Sequence, residues 1–123
     1  MTLIIYESRT GQVERFVERL KLLTDWHFVK LSPDCTPNEP YHLLTYTDGF
    51  GETPKMTADF LKSHGQKLLS VGSSGNKNWG EYQFAKAADN IAENYQVPQS
   101  LKFELSGNKQ YAQNFIQFVQ NFQ

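Results

Sequence analysis

Tyr6-Glu-Ser-Arg-Thr-Gly-Gln-Val13 follows directly on the apolar run Leu3-Ile-Ile-Tyr6 and opens into a segment of helical period. A strand that breaks into a hydroxyl- and glycine-bearing turn and then a helix is suited to hold phosphate. The unpaired N–H groups of the first helical turn point outward, and the helix dipole adds partial positive charge where they converge. Ser8 and Thr10 contribute hydroxyls, and Gly11 lets the chain bend close around an anion. No lysine follows the glycine, so the pattern is not the nucleoside-triphosphate loop ending in Gly-Lys-Ser/Thr, and a monophosphate fits better. Taken alone, the same turn reads first as an ordinary helix N-cap, and the later loops shift that balance.

Working outward, short β-rich runs alternate with longer segments of helical period, the rhythm of parallel βαβ units. Leu3–Tyr6 is continuously apolar, as expected of a strand covered on both faces. A helix is predicted over Gln12–Leu23, where Val13, Phe16, Val17 and Leu20 share one stripe and Glu14, Arg15, Glu18 and Arg19 fall toward water. Strands are predicted at His27–Leu31, Tyr41–Tyr46, Lys67–Val71 and Leu101–Leu105. Further helices are predicted at Pro54–Ser63, with Pro54 at the first helical position and Gly65 as the stop signal, at Gln83–Tyr95, and at Lys109–Phe122. The aromatics Tyr111, Phe115, Phe118 and Phe122 read as core. The resulting fold class is α/β, an open, doubly wound five-stranded parallel sheet of order 2-1-3-4-5 with helices on both faces.

The 123 residues make a single domain, 1–123, with one core. A net charge of -1 with interspersed acids and bases gives no bulk field to recruit nucleic acid or an anionic membrane. The lone Cys35, in the proline-rich run Ser32–Pro40, excludes an internal disulfide and reads as an exposed loop thiol. No charged leader and no span of roughly 20 apolar residues is visible, which favours a cytoplasmic location. His27, His42 and His64 fall on different elements without ligand-like spacing, so no metal site is expected.

In an open sheet of this order the ligand sits beyond the carboxyl ends of the strands, at the switch point between the first and third. The loops there are Ser8–Val13, Thr47–Pro54 and Gly72–Gly80, all rich in glycine, hydroxyls or aromatics. The first offers a phosphate seat. The others place Tyr46, Phe50, Trp79 and Tyr82 beside pliable backbone, which suits a flat ring system, and flavin mononucleotide (FMN) meets both needs. Protonation of the flavin N5 on one-electron reduction turns an acceptor into a donor. A peptide flip at Asp48-Gly49 or Gly49-Phe50 answers that change at little cost, because glycine tolerates positive φ.

The chain resembles, over essentially its whole length, the flavodoxin-like NrdI family of ribonucleotide reductase stimulatory proteins. The resemblance rests on Ser8-Arg-Thr-Gly-Gln-Val13 with Arg15-Phe-Val17, Thr45-Tyr-Thr-Asp-Gly-Phe-Gly51 with Pro54, and Ser74-Gly-Asn-Lys-Asn-Trp-Gly80. Phe84-Ala-Lys-Ala-Ala-Asp89, Tyr95-Gln-Val-Pro98 and Lys102-Phe-Glu-Leu-Ser-Gly107 extend it. It implies noncovalent FMN and action with the radical-carrying small subunit of a class Ib ribonucleotide reductase. The reduced flavin, fed by an electron donor, converts dioxygen to superoxide, which is delivered to the partner's cofactor site. Carried over by position, Ser8, Arg9, Thr10, Gly11, Gln12 and Val13 hold the phosphate. Thr45, Tyr46, Thr47, Asp48, Gly49, Phe50 and Gly51 border the ring near N5, and Ser74, Gly75, Asn76, Trp79, Gly80 and Tyr82 cover its other side. No residue is assigned acid–base catalysis, since the chemistry belongs to the cofactor.

Three departures from the family pattern stand out. Gln12 occupies a position where asparagine is common, Asp48 one where a neutral residue is usual, and an extra residue falls around Glu81–Gln83. An Asp48 carboxylate near the ring disfavours an anionic reduced flavin. A general electron-carrying flavodoxin and a flavin-free interaction module are the alternative readings. A phospho-receiver domain shares the sheet but needs a lysine after the last strand, and here Leu105 is followed by Ser106 and Gly107.

Overall fold

The computed structural model describes residues 2–48, 51–77 and 84–122. Five strands, β1 (Leu3–Tyr6), β2 (His27–Lys30), β3 (Tyr41–Tyr46), β4 (Leu68–Gly75) and β5 (Gln99–Glu104), form one parallel sheet in the order β2-β1-β3-β4-β5. Four helices, α1 (Gln12–Leu23), α2 (Lys55–His64), α3 (Lys86–Tyr95) and α4 (Lys109–Asn121), alternate with them. The expected order and fold class are therefore observed.

Side-chain alternation along the strands divides the interior in two. Ile4, Tyr6, Leu44 and Phe103 face α1 and α4, where they meet Val13, Phe16, Val17, Leu20, Ala112, Phe115 and Val119. Leu3, Ile5, Tyr41, Leu43 and Val71 face α2 and α3, packing with Phe60, Leu61 and Ile91. Phe16 stacks on Phe103 with ring centroids 4.2 Å apart and meets Phe115 edge-on at 6.3 Å. Full burial of each such side chain contributes about 1.5–3 kcal/mol. Of the four aromatics expected in the core, Phe115 is fully buried, Tyr111 and Phe118 pack at the margin of the same cluster, and Phe122, just past the end of α4, is half-buried edge-on to His42 at 5.1 Å.

Several boundaries differ from the sequence-based expectation for physical reasons. β4 runs on to Gly75 because Gly72, Ser73 and Ser74 are paired on both sides, with Leu44, Thr45 and Tyr46 of β3 and with Leu101, Lys102 and Phe103 of β5. Their small side chains reflect crowding, not a turn. A Cβ on Gly72 would lie 2.8 Å from the Ser100 hydroxyl and 2.9 Å from the Leu44 side chain. β5 begins two residues early and stops at Glu104, since Leu105 adopts φ 54°. β2 ends at Lys30. α3 begins at Lys86, after Ala85 at φ 49°, and the expected start at Gln83 lies outside the described residues.

Pro54 caps α2 in an extended conformation (ψ 142°) and stands just before the first helical residue. Gly65 ends α2 at φ -64° and leads into a 3₁₀ turn, Gly65–Lys67. Its missing side chain serves close packing, because a Cβ there would sit 2.5 Å from the Tyr95 ring. Cys35, expected as an exposed thiol, is half-buried against the α2-side core, and burial raises its pKa. Among the described residues no helix is long and apolar enough to cross a membrane.

Candidate functional site

The loops after β1, β3 and β4 converge at the carboxyl edge of the sheet, where β1 and β3 lie side by side and the winding reverses. In the first loop Gly11 adopts φ 90°, a left-handed conformation open to glycine, and its carbonyl accepts the first helical bond from the Arg15 N–H at 2.9 Å. Ser8 Oγ accepts from the Glu14 N–H at 3.2 Å. Among the described residues no protein acceptor meets the N–H groups of Gln12 and Val13, which leaves two donors at the head of α1. Thr10 is exposed beside them.

Two guanidinium groups add positive charge. That of Arg15 lies 3.8 Å from where a Gly11 Cβ would stand, and Arg9 reaches the second loop. There Arg9 Nη1 pairs with Asp48 Oδ1 at 3.2 Å, and its guanidinium carbon lies 5.5 Å from the Tyr46 ring centroid. Tyr46 is half-buried, and desolvation foremost, then the negative charges of Glu7 and Asp48, raise its pKa against the opposing effect of Arg9. The donor set and charge thus suit a phosphate next to an aromatic surface.

The second loop is a small hairpin. Asp48 and Glu52 exchange both backbone hydrogen bonds at 2.7 Å, closing a three-residue connection whose last member, Gly51, has φ 91°. A positive-φ glycine at that place is what a three-residue hairpin requires. Asn90 Nδ2 of α3 donates to the Gly51 carbonyl at 2.9 Å. The Thr47 N–H donates to the Ser74 carbonyl at 3.1 Å, and its hydroxyl accepts from the Ala87 N–H at 3.1 Å in the first turn of α3. Ser73 Oγ gives its proton to the Ser74 carbonyl, so Thr47 donates in the 3.1 Å contact between the two hydroxyls.

The third loop continues from the end of β4. Ser74 Oγ donates to the Leu105 carbonyl at 2.7 Å, and the Gly75 carbonyl accepts from the Leu105 N–H at 2.9 Å. A Cβ on Gly75 would lie 2.4 Å from the Ala85 backbone nitrogen, so this glycine allows strand and helix start to touch. The Lys77 N–H donates to Glu104 Oε2 at 3.1 Å.

Of the site residues read from the sequence, Ser8–Val13, Thr45–Asp48, Gly51 and Ser74–Asn76 are gathered at this edge. Gly49, Phe50, Trp79, Gly80 and Tyr82 lie outside the described residues, as do the suggested peptide flip and the extra residue near Glu81–Gln83. The side chains of Val13, Thr45 and Ser74 are buried, so these positions offer main-chain groups. Sequence reasoning passed over four contributors: Arg15, Glu7, Thr57 and Ser106. Ser106 Oγ donates to Gln12 Oε1, so the longer amide at position 12 is held by the β5–α4 connection. A buried acid ending an apolar strand was the one available signal for Glu7.

Fold and site together define a flavodoxin-like domain with a turn of open N–H groups at its switch point. The solved structure of a short-chain flavodoxin associated with a non-canonical PDU bacterial microcompartment superposes with a TM-score of 0.76, covering 98% of this chain and 95% of that one at 18% identity. The sequence profile described as "NrdI Flavodoxin like" matches residues 4–117. Protein NrdI of Bacillus licheniformis is 43% identical over 120 residues, 98% of this chain and 88% of that protein. The SPbeta prophage-derived protein NrdI of Bacillus subtilis is 42% identical over 115 residues, 94% and 88% of the two chains. Protein NrdI of Macrococcus caseolyticus is 42% identical over 113 residues, 92% and 84% of the two chains. The chain belongs to the NrdI flavodoxin-like family, which is associated with ribonucleotide reductase, and fold and family point to a flavin cofactor.

Proposed function

We propose that the protein binds FMN at this edge and activates the radical-carrying small subunit of a class Ib ribonucleotide reductase. The observation that carries the reading is the pair of open N–H groups on Gln12 and Val13 beside Arg15 and Arg9, next to the Tyr46 ring. These donors hold the phosphate, with Ser8 fixing the turn and Thr10 free to add its hydroxyl. The paired Asp48 and Glu52 set the ring-side loop beside this turn, and Ser74, Gly75 and Asn76 lead into the cover on the other side. Bound there and reduced by an electron donor, the flavin would supply electrons to dioxygen, and the resulting superoxide would be delivered to the partner's cofactor site. The protein's share is to orient the ring, set its potential and dock. No side chain need move a proton in the chemistry.

Anaerobic titration with FMN, reduction, and addition of dioxygen with and without the small subunit tests the proposal. Flavin uptake, and tyrosyl radical formation only when both proteins are present, is the expected result. Uptake with no effect on the subunit would leave a general electron carrier, and no uptake would leave a binding module.

A further inference from the structure

Glu7 is buried at the end of β1, immediately before the phosphate turn, and no cation pairs with it among the described residues. A buried carboxylate without a counter-ion is costly and persists where hydrogen bonds and dipoles compensate it. Here Glu7 Oε1 accepts from the hydroxyl of Thr57, the third residue of α2. Thr57 Oγ1 in turn lies 3.0 Å from Thr45 Oγ1 of β3, and both threonines are fully buried. The proton count fixes the direction: Thr57 has given its only hydroxyl proton to Glu7, so Thr45 donates to Thr57. α2 has no side-chain cap and no acid of its own in the first turn. Glu7 supplies that negative charge from another strand.

Strand alternation keeps this arrangement compatible with an anion nearby. Leu3 and Ile5 belong to the α2/α3 side, so Glu7 points there as well, whereas α1 with its open N–H groups packs on the opposite side. The carboxylate therefore anchors the start of the phosphate turn without occupying it.

We infer that Glu7, through the Thr45–Thr57–Glu7 chain, is a positioning residue that sets the phosphate turn at the right separation from α2 and the ring-side hairpin preceding it. The inference rests on the proposed flavin site. A ligand held at both ends needs that separation, while a ligand held only by its ring does not. FMN and riboflavin differ by the phosphate alone, so the ratio of their affinities reads it directly.

The test measures both affinities for the parent protein, Thr57→Val, Thr57→Ser and Thr45→Val, with thermal unfolding alongside. Thr57→Val lowers the FMN-to-riboflavin affinity ratio about tenfold, the weight of one charge-assisted hydrogen bond. Thr57→Ser keeps the hydroxyl and stays within about twofold of the parent. Thr45→Val, which breaks only the outer link, lowers the ratio about threefold and decides the matter if Thr57→Val does not fold. A ratio unchanged in the folded variants, with stability lost, makes the chain scaffold alone and overturns the inference while the flavin site stands. A parent protein that takes up neither ligand overturns both.

Discussion

Replacing Gly107 with alanine tests the packing that supports the site from behind. Gly107 has φ 70°, and a Cβ there would stand 2.7 Å from Phe16 Cδ1, 3.0 Å from Phe16 Cε1 and 3.4 Å from Phe103 Cδ2. Phe16 is fully buried and stacked on Phe103, so it has nowhere to swing. The left-handed conformation costs alanine about 1–2 kcal/mol, and the clash adds about 1–3 kcal/mol. A total of about 3 kcal/mol corresponds to a fall in Tm of about 12 °C for a chain of this length. Gly11→Ala is the internal control, with φ 90° but only the mobile Arg15 guanidinium within reach, at 3.8 Å. It pays the conformational cost alone, about 1 kcal/mol.

Denaturant unfolding of both variants gives the difference directly. Phe16→Leu placed on the Gly107→Ala background should show a favourable coupling of about 1 kcal/mol or more, because the smaller side chain relieves the clash. Equal losses for Gly107→Ala and Gly11→Ala, or the absence of coupling to Phe16, would refute the packing argument.

Asp48→Asn should raise the potential of the last flavin reduction step, and Arg9→Ala should lower it by uncovering the Asp48 charge, which Arg9 pairs at 3.2 Å. Both groups are partly exposed, so each shift is small, about 0.5 kcal/mol or about 20 mV, and shifts of the same sign in spectroelectrochemistry would sink the account. Ser8→Ala should cost about 1 kcal/mol of stability and weaken FMN binding together, since the Glu14 N–H loses its acceptor. His42 is buried with Nδ1 2.7 Å from Ser70 Oγ, and burial lowers its pKa to about 4 from 6.5. In that window the unfolded chain binds more protons than the folded one, so stability falls as pH drops from about 6.5 toward 4, by up to about 3 kcal/mol. His42→Gln should flatten this slope in urea melts at pH 7, 6, 5 and 4.5.

Where periodicity decides an element, the sequence was readable. The stripe Val13, Phe16, Val17 and Leu20 placed α1 to the residue, and the run Tyr41–Tyr46 placed β3. Composition misled where tertiary pairing rules. Gly72-Ser-Ser-Gly75 has the makeup of a turn, yet two flanking strands hold it extended, and no local property of four small residues announces that. Gly65 does end α2 as expected, but the reason it must be glycine lies in the Tyr95 ring, a partner 30 positions away that no local pattern names. The loops of the candidate site were legible as loops, because their glycines and hydroxyls are visible in the sequence. The contacts that position those loops were not, since Glu7–Thr57 and Gln12–Ser106 join residues far apart in the chain.

The string Lys102-Phe-Glu-Leu-Ser-Gly107 contributes to the candidate site at one remove. Lys102 Nζ bonds Asp89 of α3 at 2.6 Å, and Phe103 stacks on Phe16 of α1. Glu104 accepts from the Lys77 N–H in the third loop, and Leu105 exchanges hydrogen bonds with Gly75 and Ser74. Ser106 holds Gln12 in the phosphate turn, and Gly107 gives Phe16 its space. Consecutive residues thus reach in turn α3, α1, the loop after β4 and the head of α1. Leu105 carries the cost as a non-glycine residue at φ 54°, a strain of the kind retained where surrounding contacts over-determine the backbone. Each position of the string is thus tied to a partner outside its own strand and turn. The string therefore forms a brace that keeps the turn after β1 and the loop after β4 at a fixed separation, while the Ser-x-Thr-Gly turn offers its open N–H groups to the proposed ligand.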